Sequence, residues 1–459
     1  MAGSTYILST FNGTGSSTGA KSTHSVWIKR CDPEFWTDST ARSSIVSGKT
    51  NASNYIKTRF ADNDAFHVYG ISGGSANINL YSSIQCRDVG AWYHLCLQID
   101  TTHATEAERI KIFINGVEGT YSGTYPAQND TNHLTSSNAT IIGGNQDGDE
   151  EFDGYMSHFH CIDGTIYPPT AFAETDATSG EWKPITEPSV TYGSKGYFIF
   201  KDGAGITDQS GNSNNFQLEA GTLTPTEDNP SNVFATLNPL AASSAALTLK
   251  NGNTCSSGPN SNNYWQSVPS TLGATKGKFY WEFKDENSWG GTGDSTRRYG
   301  ICDLDTIVNT LSSGADVRFS GSTSGYAYMN ASGVRHNGST VSGTASTYPT
   351  FTDGDIIMCA MDLDNQKLYF GKNGTWLDSS DPTSGATGTG SVADISATAT
   401  WSPYVETKYG SDVVSVNYGN GYFRTTAISS EGTNASGIGK FEYDVPTGYT
   451  ALSTKGLNE

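Results

Sequence analysis

A chain of 459 residues with 52 glycines, 24 tyrosines and only 16% charged residues has the composition of strands and turns, and its aromatic content excludes a disordered chain. The formal net charge of -19 repels nucleic-acid phosphates and anionic membrane surfaces, so neither is a predicted partner. The length allows two or three domains, each with its own core.

The first half reads as a series of short strands joined by polar turns. In RIKIFING, Ile110, Ile112 and Ile114 occupy one face of the segment, which predicts a half-buried strand. Asn115-Gly116 follows directly and predicts a two-residue hairpin turn. The preceding HATEAER stretch is expected to form one helical turn. No segment has the periodicity of a long amphipathic helix.

The cysteines bear on the compartment in which the protein assembles. Their number is odd, no CxxC is present, and most lie in apolar runs, so we expect reduced, buried thiols and assembly in a cytosol. The start of the chain lacks a basic segment followed by an apolar one, and no apolar run has transmembrane length. Neither secretion nor membrane insertion is therefore predicted. The cysteines are Cys31, Cys86, Cys96, Cys161, Cys255, Cys302 and Cys359.

An acidic stretch, GGNQDGDEEFDG, stands before the predicted strand YMSHFHCI. Carboxylates at alternating positions around a glycine suit calcium, although the spacing is not that of an EF-hand. We favour a solvated acidic turn, with calcium as the alternative and no other cofactor. In the following YMSHFHCI, two histidines face one way and Cys161 the other, which favours strand packing over zinc. The candidate calcium ligands are Asp147, Asp149, Glu150, Glu151 and Asp153.

A segment rich in Asn, Thr and Pro separates the two halves, with the boundary near Asn229 to Asn238. It predicts one domain over 1–230 and a second over 236–459. Both halves contain a strand, a polar turn, a second strand and Asn-Gly, which suggests two sandwiches of related architecture.

The second half contains GDIIMCAMDLDNQKLYFGKNGTW, from Gly354 to Trp376. Both faces of its first strand are apolar, which predicts a central strand of a sandwich. Asp362 and Asp364 then lie at a turn between two strands, and two carboxylates are too few for a calcium loop.

Aromatic residues in polar segments of the second half could serve as platforms for sugar rings. The alternative for each is structural packing, since sandwiches bury many aromatic rings. The candidate ligand-binding residues are Tyr264, Trp265, Trp289 and Trp376.

The first half resembles the laminin-G-like, concanavalin-A-like jelly-roll modules of bacteriophage virion proteins. The resemblance rests on the stretch from Arg87 to Asp130, on the stretch from Phe152 to Pro184, and on YGSKGYFIFKDGAGITDQSGNSNNF and DNPSNVFATLNPL. These stretches together cover most of residues 1–240 in order.

The second half resembles a SPRY domain, another concanavalin-like sandwich. The matching stretches are GKFYWEFK, YGICDLD and DGDIIMCAMDLDNQKLYFGKNGTW, followed by the last strands of the chain. The two resemblances together imply an all-β fold of two tandem antiparallel β-sandwiches. They also imply a structural or fibre protein of a tailed phage, although no heptad shaft is recognisable.

The resemblance further implies where a jelly-roll glycosidase would carry its acids, in a Glu-x-Asp-x-x-Glu strand. Glu151 and Asp153 fit its first two positions, but Met156 stands at the third. We therefore assign no catalytic residue and expect a non-enzymatic virion protein on the particle exterior, assembled in the host cytoplasm.

A tail-fibre or adhesion component contacting host-surface glycans is the leading hypothesis. The alternatives are a decoration protein of the capsid or tail, without a receptor role, and a polysaccharide depolymerase. Expected partners are other virion proteins, host-surface glycans and further copies of the chain.

Overall fold

The structure is a computed structural model, and its described residues form two compact units, Met1–Pro225 and Thr226–Glu459. The described residues are 5–9, 19–31, 43–61, 63–136, 139–145, 150–201, 205–242, 247–257, 265–287, 296–307, 319–321, 325–331, 333–342 and 347–459.

The first unit contains sixteen described strands, the α-helical turn α1 (His133–Ser136) and two 3-10 turns, Glu106–Glu108 and Pro169–Ala171. The turn Glu106–Glu108 confirms the helical turn expected in HATEAER. The strands are β1 (Tyr6–Ser9), β2 (Lys21–Arg30), β3 (Ser43–Asn51), β4 (Asn54–Phe60), β5 (Ala65–Ser72), β6 (Ser75–Gln85), β7 (Trp92–Asp100), β8 (Ile110–Ile114), β9 (Val117–Glu118), β10 (Tyr121–Thr124), β11 (Ala139–Ile142), β12 (Gly154–Asp163), β13 (Ala173–Thr175), β14 (Trp182–Pro184), β15 (Tyr197–Ile199) and β16 (Gln217–Ala220).

These strands form two large antiparallel sheets and one small hairpin. Sheet A has the order β10-β6-β5-β4-β3-β11-β1-β16, and sheet B has the order β15-β12-β2-β7-β8-β9. Val68 and Leu80 from sheet A and Leu97 and Ile112 from sheet B are buried in one apolar cluster. The sheets therefore pack face to face as a sandwich, because the alternating side chains of each strand place the apolar set on the inside.

The second unit contains seventeen described strands, the α-helical turn α2 (Leu304–Ile307) and the 3-10 turns Pro239–Ala241, Phe319–Gly321, Pro382–Thr387 and Gly456–Asn458. The strands are β17 (Thr248–Lys250), β18 (Cys255–Ser257), β19 (Gln266–Pro269), β20 (Lys278–Asn287), β21 (Arg297–Asp303), β22 (Gly325–Met329), β23 (Val334–His336), β24 (Ser339–Ser342), β25 (Ile356–Asp362), β26 (Lys367–Lys372), β27 (Thr375–Trp376), β28 (Ala393–Asp394), β29 (Trp401–Thr407), β30 (Val413–Asn417), β31 (Tyr422–Phe423), β32 (Thr426–Ala427) and β33 (Thr450–Ala451).

Sheet C follows the order β17-β18-β30-β20-β25-β26-β27, with β28 on β26 and β33 on β20, and sheet D the order β19-β29-β21-β22-β23-β24. Trp281 of sheet C and Tyr299 of sheet D share the central core. The prediction of an all-β fold with two tandem antiparallel sandwiches is confirmed. Among the described strands, the pairing of β20 with β33 is the one parallel exception.

The predicted central strand is also confirmed, because β25 is buried on both faces. Ile357 and Met361 belong to the core between the sheets, whereas Met358 faces a second apolar cluster on the other side of sheet C. That second cluster is closed by residues near the end of the chain, including Phe441 and Val445. Burial on both faces explains why the sequence shows a continuous apolar run instead of alternation.

The two predicted hairpin turns adopt the expected conformation. Asn115 and Gly116 have φ of 51° and 79°, and Asn373 and Gly374 have φ of 48° and 83°. Two consecutive positive φ values define the turn type whose twist suits a tight hairpin. At the acidic corner between β25 and β26, Asp362 Oδ1 accepts the backbone N–H of Asn365 at 2.9 Å. The corner is therefore a turn, as the sequence predicts.

The segment predicted to contain the domain boundary contributes to the second unit. The two compact units divide between Pro225 and Thr226, and Phe234 and Ala235 are buried in clusters of the second unit. The predicted limits of 1–230 and 236–459 stay a prediction about pieces that fold separately.

All seven cysteines are buried and unbridged, which confirms the expectation of buried free thiols. Burial raises the pKa of Cys86 to about 12 and that of Cys255 to about 11. Since the thiolate is the reactive form, these thiols are protected from oxidation in the folded protein. None of the described helices has the length and apolar character needed to span a bilayer.

Candidate functional site

The outer face of sheet A carries an unusual set of aromatic and polar side chains on three neighbouring strands. On β4 and β5 the register places Lys57 opposite Tyr69 and Arg59 opposite His67. On β5 and β6 it places His67 opposite Tyr81. The intervening residues of each strand point into the core, because side chains alternate along a strand. We call the set Tyr55, Lys57, Arg59, His67, Tyr69, Asn79 and Tyr81 the aromatic face.

Four rings of the aromatic face follow one another across the three strands. The rings of Tyr55 and Tyr69 lie 6.3 Å apart, and those of Tyr69 and His67 lie 5.9 Å apart. His67 and Tyr81 are stacked at 4.0 Å with an angle of 6° between their planes. The three tyrosines are half-buried, so each presents part of its ring to the outside.

Two cations and one carboxylate hold this face in place. Lys57 Nζ lies 3.0 Å from both carboxylate oxygens of Glu150, and an Arg59 guanidinium nitrogen lies 2.5 Å from Oε1. The Lys57 and Arg59 side chains are only 8% and 3% exposed. Arg59 also lies over the ring of Tyr69, at 5.4 Å from its centre. The network fixes the orientation of the rings, because buried charges keep few alternative geometries.

The imidazole of His67 has a defined tautomer. Its Nδ1 accepts the Nε–H of Arg59 at 3.1 Å, so the ring proton is on Nε2, which donates to Asn79 Oδ1 at 2.8 Å. The amide nitrogen of Asn79 then points away from His67. On the neighbouring strand β10, the exposed Ser122 and Thr124 pair with Tyr81 and Asn79. The face thus combines ring surfaces with hydroxyl and amide groups at its edge.

Such a surface has the two properties that a carbohydrate ligand requires. The C–H faces of a pyranose ring pack on aromatic rings, and its hydroxyls need donors and acceptors around the rim. The side chains are carried by strands of a sheet and braced from one side, so little ordering is needed on binding.

The acidic stretch predicted as a calcium alternative lies partly at this face. Glu150 pairs with Lys57 and Arg59, and Asp147 and Asp149 lie outside the described residues. Glu151 and Asp153 are half-buried, and burial raises the pKa of Asp153. Within the described ranges, no group of three His, Cys, Asp or Glu side chains is arranged to hold a metal ion. The calcium alternative stays a prediction.

The aromatic candidates of the second unit have packing roles where they are described. Trp265 is 6% exposed, and the Arg298 guanidinium lies 3.7 Å from its ring centre. Trp376 is half-buried and meets Tyr280 edge-on at 6.3 Å. Tyr264 and Trp289 lie outside the described residues. Their role in ligand binding stays a prediction.

Two buried carboxylates of β20 bear on hydrolytic chemistry. Glu282 accepts the backbone N–H of Tyr443 at 2.8 Å on the outer side of sheet C. Asp285 pairs with Arg297 at 3.0 Å and accepts the hydroxyl of Tyr299, a residue of the core between the sheets. Burial raises the pKa of each carboxyl to about 7. The two acids lie on opposite sides of the sheet, so they cannot flank one glycosidic bond.

A buried serine–histidine contact in sheet B does not have the geometry of a nucleophile and base. Trp182 Nε1–H donates to His94 Nδ1 at 3.1 Å, which leaves the ring proton on Nε2. That proton is donated to Ser25 Oγ at 2.8 Å, so the imidazole cannot accept the hydroxyl proton. Burial lowers the pKa of His94 to about 3.

The two histidines of YMSHFHCI also have packing roles on this sheet. His160 is stacked on Phe198 at 3.9 Å, and its Nδ1 lies 2.9 Å from the hydroxyl of Tyr192. Cys161 points into the apolar core of the unit. The predicted opposite orientation of this cysteine is confirmed.

One family model matches a part of the chain that lies within the first unit. Residues 2–169 match the family model of the concanavalin A-like lectin/glucanases superfamily. The matched range contains the whole aromatic face. A search of curated protein sequences finds no match.

Solved structures resemble parts of the chain at low identity. The SPRY domain of human HERC1 is 19% identical, with 39% of this chain and 96% of that chain covered and a TM-score of 0.28. Domain 4 of AbnA, a GH43 extracellular arabinanase from Geobacillus stearothermophilus in complex with arabinotriose, is 19% identical. The match covers 33% of this chain and 64% of that chain, with a TM-score of 0.24. The CBM40 of Ruminococcus gnavus IT-sialidase is 16% identical. The match covers 31% of this chain and 77% of that chain, with a TM-score of 0.23.

The sequence analysis does not predict the aromatic face, although the sequence contains a signal for it. NYIKTRF, FHVYGIS and NINLYSS each alternate apolar residues with aromatic or polar ones. The apolar positions of each strand predict its core face. The positions between them form the outer face, which carries Tyr55, Tyr69 and Tyr81. Their convergence depends on strand register, which the pattern of a single strand does not give.

Proposed function

We propose that this chain is a non-enzymatic glycan-binding protein, and that the aromatic face of sheet A holds the glycan. The observation that carries the proposal is the run of four rings across β4, β5 and β6, with hydrogen-bonding groups along its edge. The matching family model, described by lectins and glucanases, supports the same class of ligand.

The ion-pair network supports binding without catalysis. Glu150 supplies a carboxylate at the face, and both of its oxygens are bound by Lys57 and Arg59. A retaining glycosidase needs two carboxyl groups about 5–5.5 Å apart, one of which is free to attack the sugar. The Glu150 carboxylate has both oxygens held by buried cations, so neither oxygen is free to attack a sugar.

The context we propose is the exterior of a phage particle, where the protein acts as a fibre or adhesion component on host-surface glycans. The support is the order of the two modules in the sequence and the net charge of -19, which favours solubility at high local concentration. Other virion proteins and further copies of the chain would be its partners. Mass spectrometry of purified particles tests this context: absence of the polypeptide would contradict it. A decoration role without a receptor function would leave the protein on the particle but without glycan affinity.

The test of the binding proposal is a glycan array probed with the intact protein and two matched variants. Tyr69→Ala removes the central ring of the aromatic face. Tyr326→Ala removes a half-buried ring in the second unit that is stacked on His336 at 3.9 Å, much as Tyr81 is stacked on His67. Loss of one ring contact of about 1.5 kcal/mol weakens binding about tenfold.

We expect binding of at least one glycan class, weakened by Tyr69→Ala and retained by Tyr326→Ala. Retention by both variants would place the binding elsewhere on the chain. Release of new reducing ends from the bound glycan would show a depolymerase instead of a binding protein.

A further inference from the structure

A pocket lies on the outer face of sheet B, at one end of β2, β7 and β8. Its floor is formed by Lys21, Gln98, Asp100 and Lys111, and its volume is about 480 Å³. One wall is the segment 103–108 and the other is the segment 164–166. We call it the sheet B pocket. Its volume falls within the range of small-molecule sites, about 300–1,000 Å³.

Both walls are fastened to the sheet by hydrogen bonds. The Arg109 guanidinium donates to the carbonyls of His103, Ala104 and Pro126 at 3.0, 3.2 and 2.8 Å, which holds the first wall. On the other side, Thr23 Oγ1 donates to the carbonyl of Thr165 at 3.0 Å.

The second wall has two further links. Gln98 Nε2 donates to the carbonyl of Tyr167 at 2.8 Å, and the N–H of Tyr167 donates to Thr23 Oγ1 at 2.9 Å. Because these bonds are made within the free protein, the pocket is formed before any ligand arrives.

The charged groups of the pocket occur as two ion pairs. Lys21 Nζ lies 3.0 Å from Asp100 Oδ2, and Lys111 Nζ lies 2.9 Å from Glu108 Oε2. The hydrogen bond with Glu108 raises the pKa of Lys111, and the bond with Lys111 lowers the pKa of Glu108. The lining thus presents two ammonium donors beside two carboxylate acceptors, and Lys111 Nζ also lies 3.6 Å from Oε1 of Glu118, which is outside the lining.

We propose that the sheet B pocket binds one uncharged sugar residue, either free or at the end of a glycan. A sugar hydroxyl can accept from an ammonium group while it donates to a carboxylate, so neighbouring hydroxyls satisfy both members of an ion pair. A charged ligand would meet one like charge for each opposite charge. Apart from His103, the lining has no ring side chain, so hydrogen bonds and not stacking would hold the sugar.

This inference goes beyond the proposed function, because the pocket lies on a different sheet from the aromatic face. The two sites would also act on ligands of different size. A strip of rings across three strands suits an extended glycan, whereas a walled pocket suits one residue.

The experiment is saturation-transfer NMR on the full chain with methyl glycosides of glucose, galactose, mannose, rhamnose and N-acetylglucosamine at millimolar concentration. Lys111→Gln removes one ammonium of the pocket. Its control is Lys183→Gln, which removes a lysine of similar exposure, 33% against 27%, that also pairs with two carboxylates. We expect transfer to at least one glycoside, weakened about fivefold or more by Lys111→Gln and unchanged by Lys183→Gln.

Other outcomes separate the two proposals. No transfer to any of the five glycosides would overturn the pocket, and so would equal signals from the two lysine variants. A signal abolished by Tyr69→Ala but kept by Lys111→Gln would overturn the pocket and place the sugar on the aromatic face. Thermal unfolding of each variant checks that the fold is intact.

Discussion

Replacing Glu150 by alanine tests the ion-pair network that holds the aromatic face. The change leaves the Lys57 and Arg59 side chains, 8% and 3% exposed, without their shared carboxylate. Breaking a buried pair by removing one partner costs about 3–5 kcal/mol. Because the Glu150 side chain is itself 16% exposed, we expect the lower end, about 3 kcal/mol.

The assay is calorimetric unfolding of the intact chain with and without a chelator. For a unit of this size, about 3 kcal/mol lowers the melting temperature of one transition by about 6–12 °C. The control is Glu174→Ala, since Glu174 is 56% exposed and its pair with Lys183 is long, at 3.6 Å. We expect that control to cost under about 1 kcal/mol.

Two results would refute this reasoning. The first is a cost for Glu150→Ala no larger than that of the control. The second is a loss of stability of the unmodified protein in chelator, equal to the loss in Glu150→Ala. That result would mean that the carboxylate acts through a bound metal ion and not through Lys57 and Arg59.

Three further predictions concern buried groups. Glu282→Ala should leave the backbone N–H of Tyr443 without its acceptor and so release the segment 429–445. Limited proteolysis near these residues should become faster. Unchanged cleavage would refute the anchoring role of Glu282. Burial lowers the pKa of His24 and His94 to about 3, so the first unit should lose stability as the pH falls from about 6.5 towards 3. Burial raises the pKa of Glu282 and Asp285 to about 7, so the second unit should lose stability as the pH rises from about 4.5 to 7. Calorimetry should therefore show two transitions that move in opposite directions between pH 7 and 5, and parallel movement would contradict these assignments. Finally, the seven thiols should react with a thiol reagent only on unfolding, and rapid labelling of the native protein would contradict their burial.

Local signals in the sequence were enough for strands and turns. RIKIFING alternates with period two, and Asn115-Gly116 provides the two positive φ values that a tight hairpin needs. The acidic corner at Asp362 was correctly predicted as a turn because short polar side chains accept backbone N–H groups. Each of these features depends on residues that are close in the chain.

The candidate site depends on residues that are far apart in the chain. Glu150 is separated in sequence from Lys57 by 93 residues and from Arg59 by 91. The residues around Glu150 alone therefore indicate only an acidic turn. The sequence around Trp265 indicates an aromatic residue in a polar loop. Its contact with Arg298 depends on how the strands of sheet D are arranged, which that sequence does not show. Strand order and register determine both contacts, and neither can be deduced from one segment.

The most direct test of the aromatic face is tyrosine-selective NMR of the full chain, titrated with a glycan that binds on the array. Ring signals of Tyr55, Tyr69 and Tyr81 are assigned by single Tyr→Phe variants. We expect these three ring signals to shift together until binding of the glycan is saturated, while the ring signal of Tyr326 in the second unit stays unchanged. Saturable binding that leaves the three rings of sheet A unshifted would contradict the central claim.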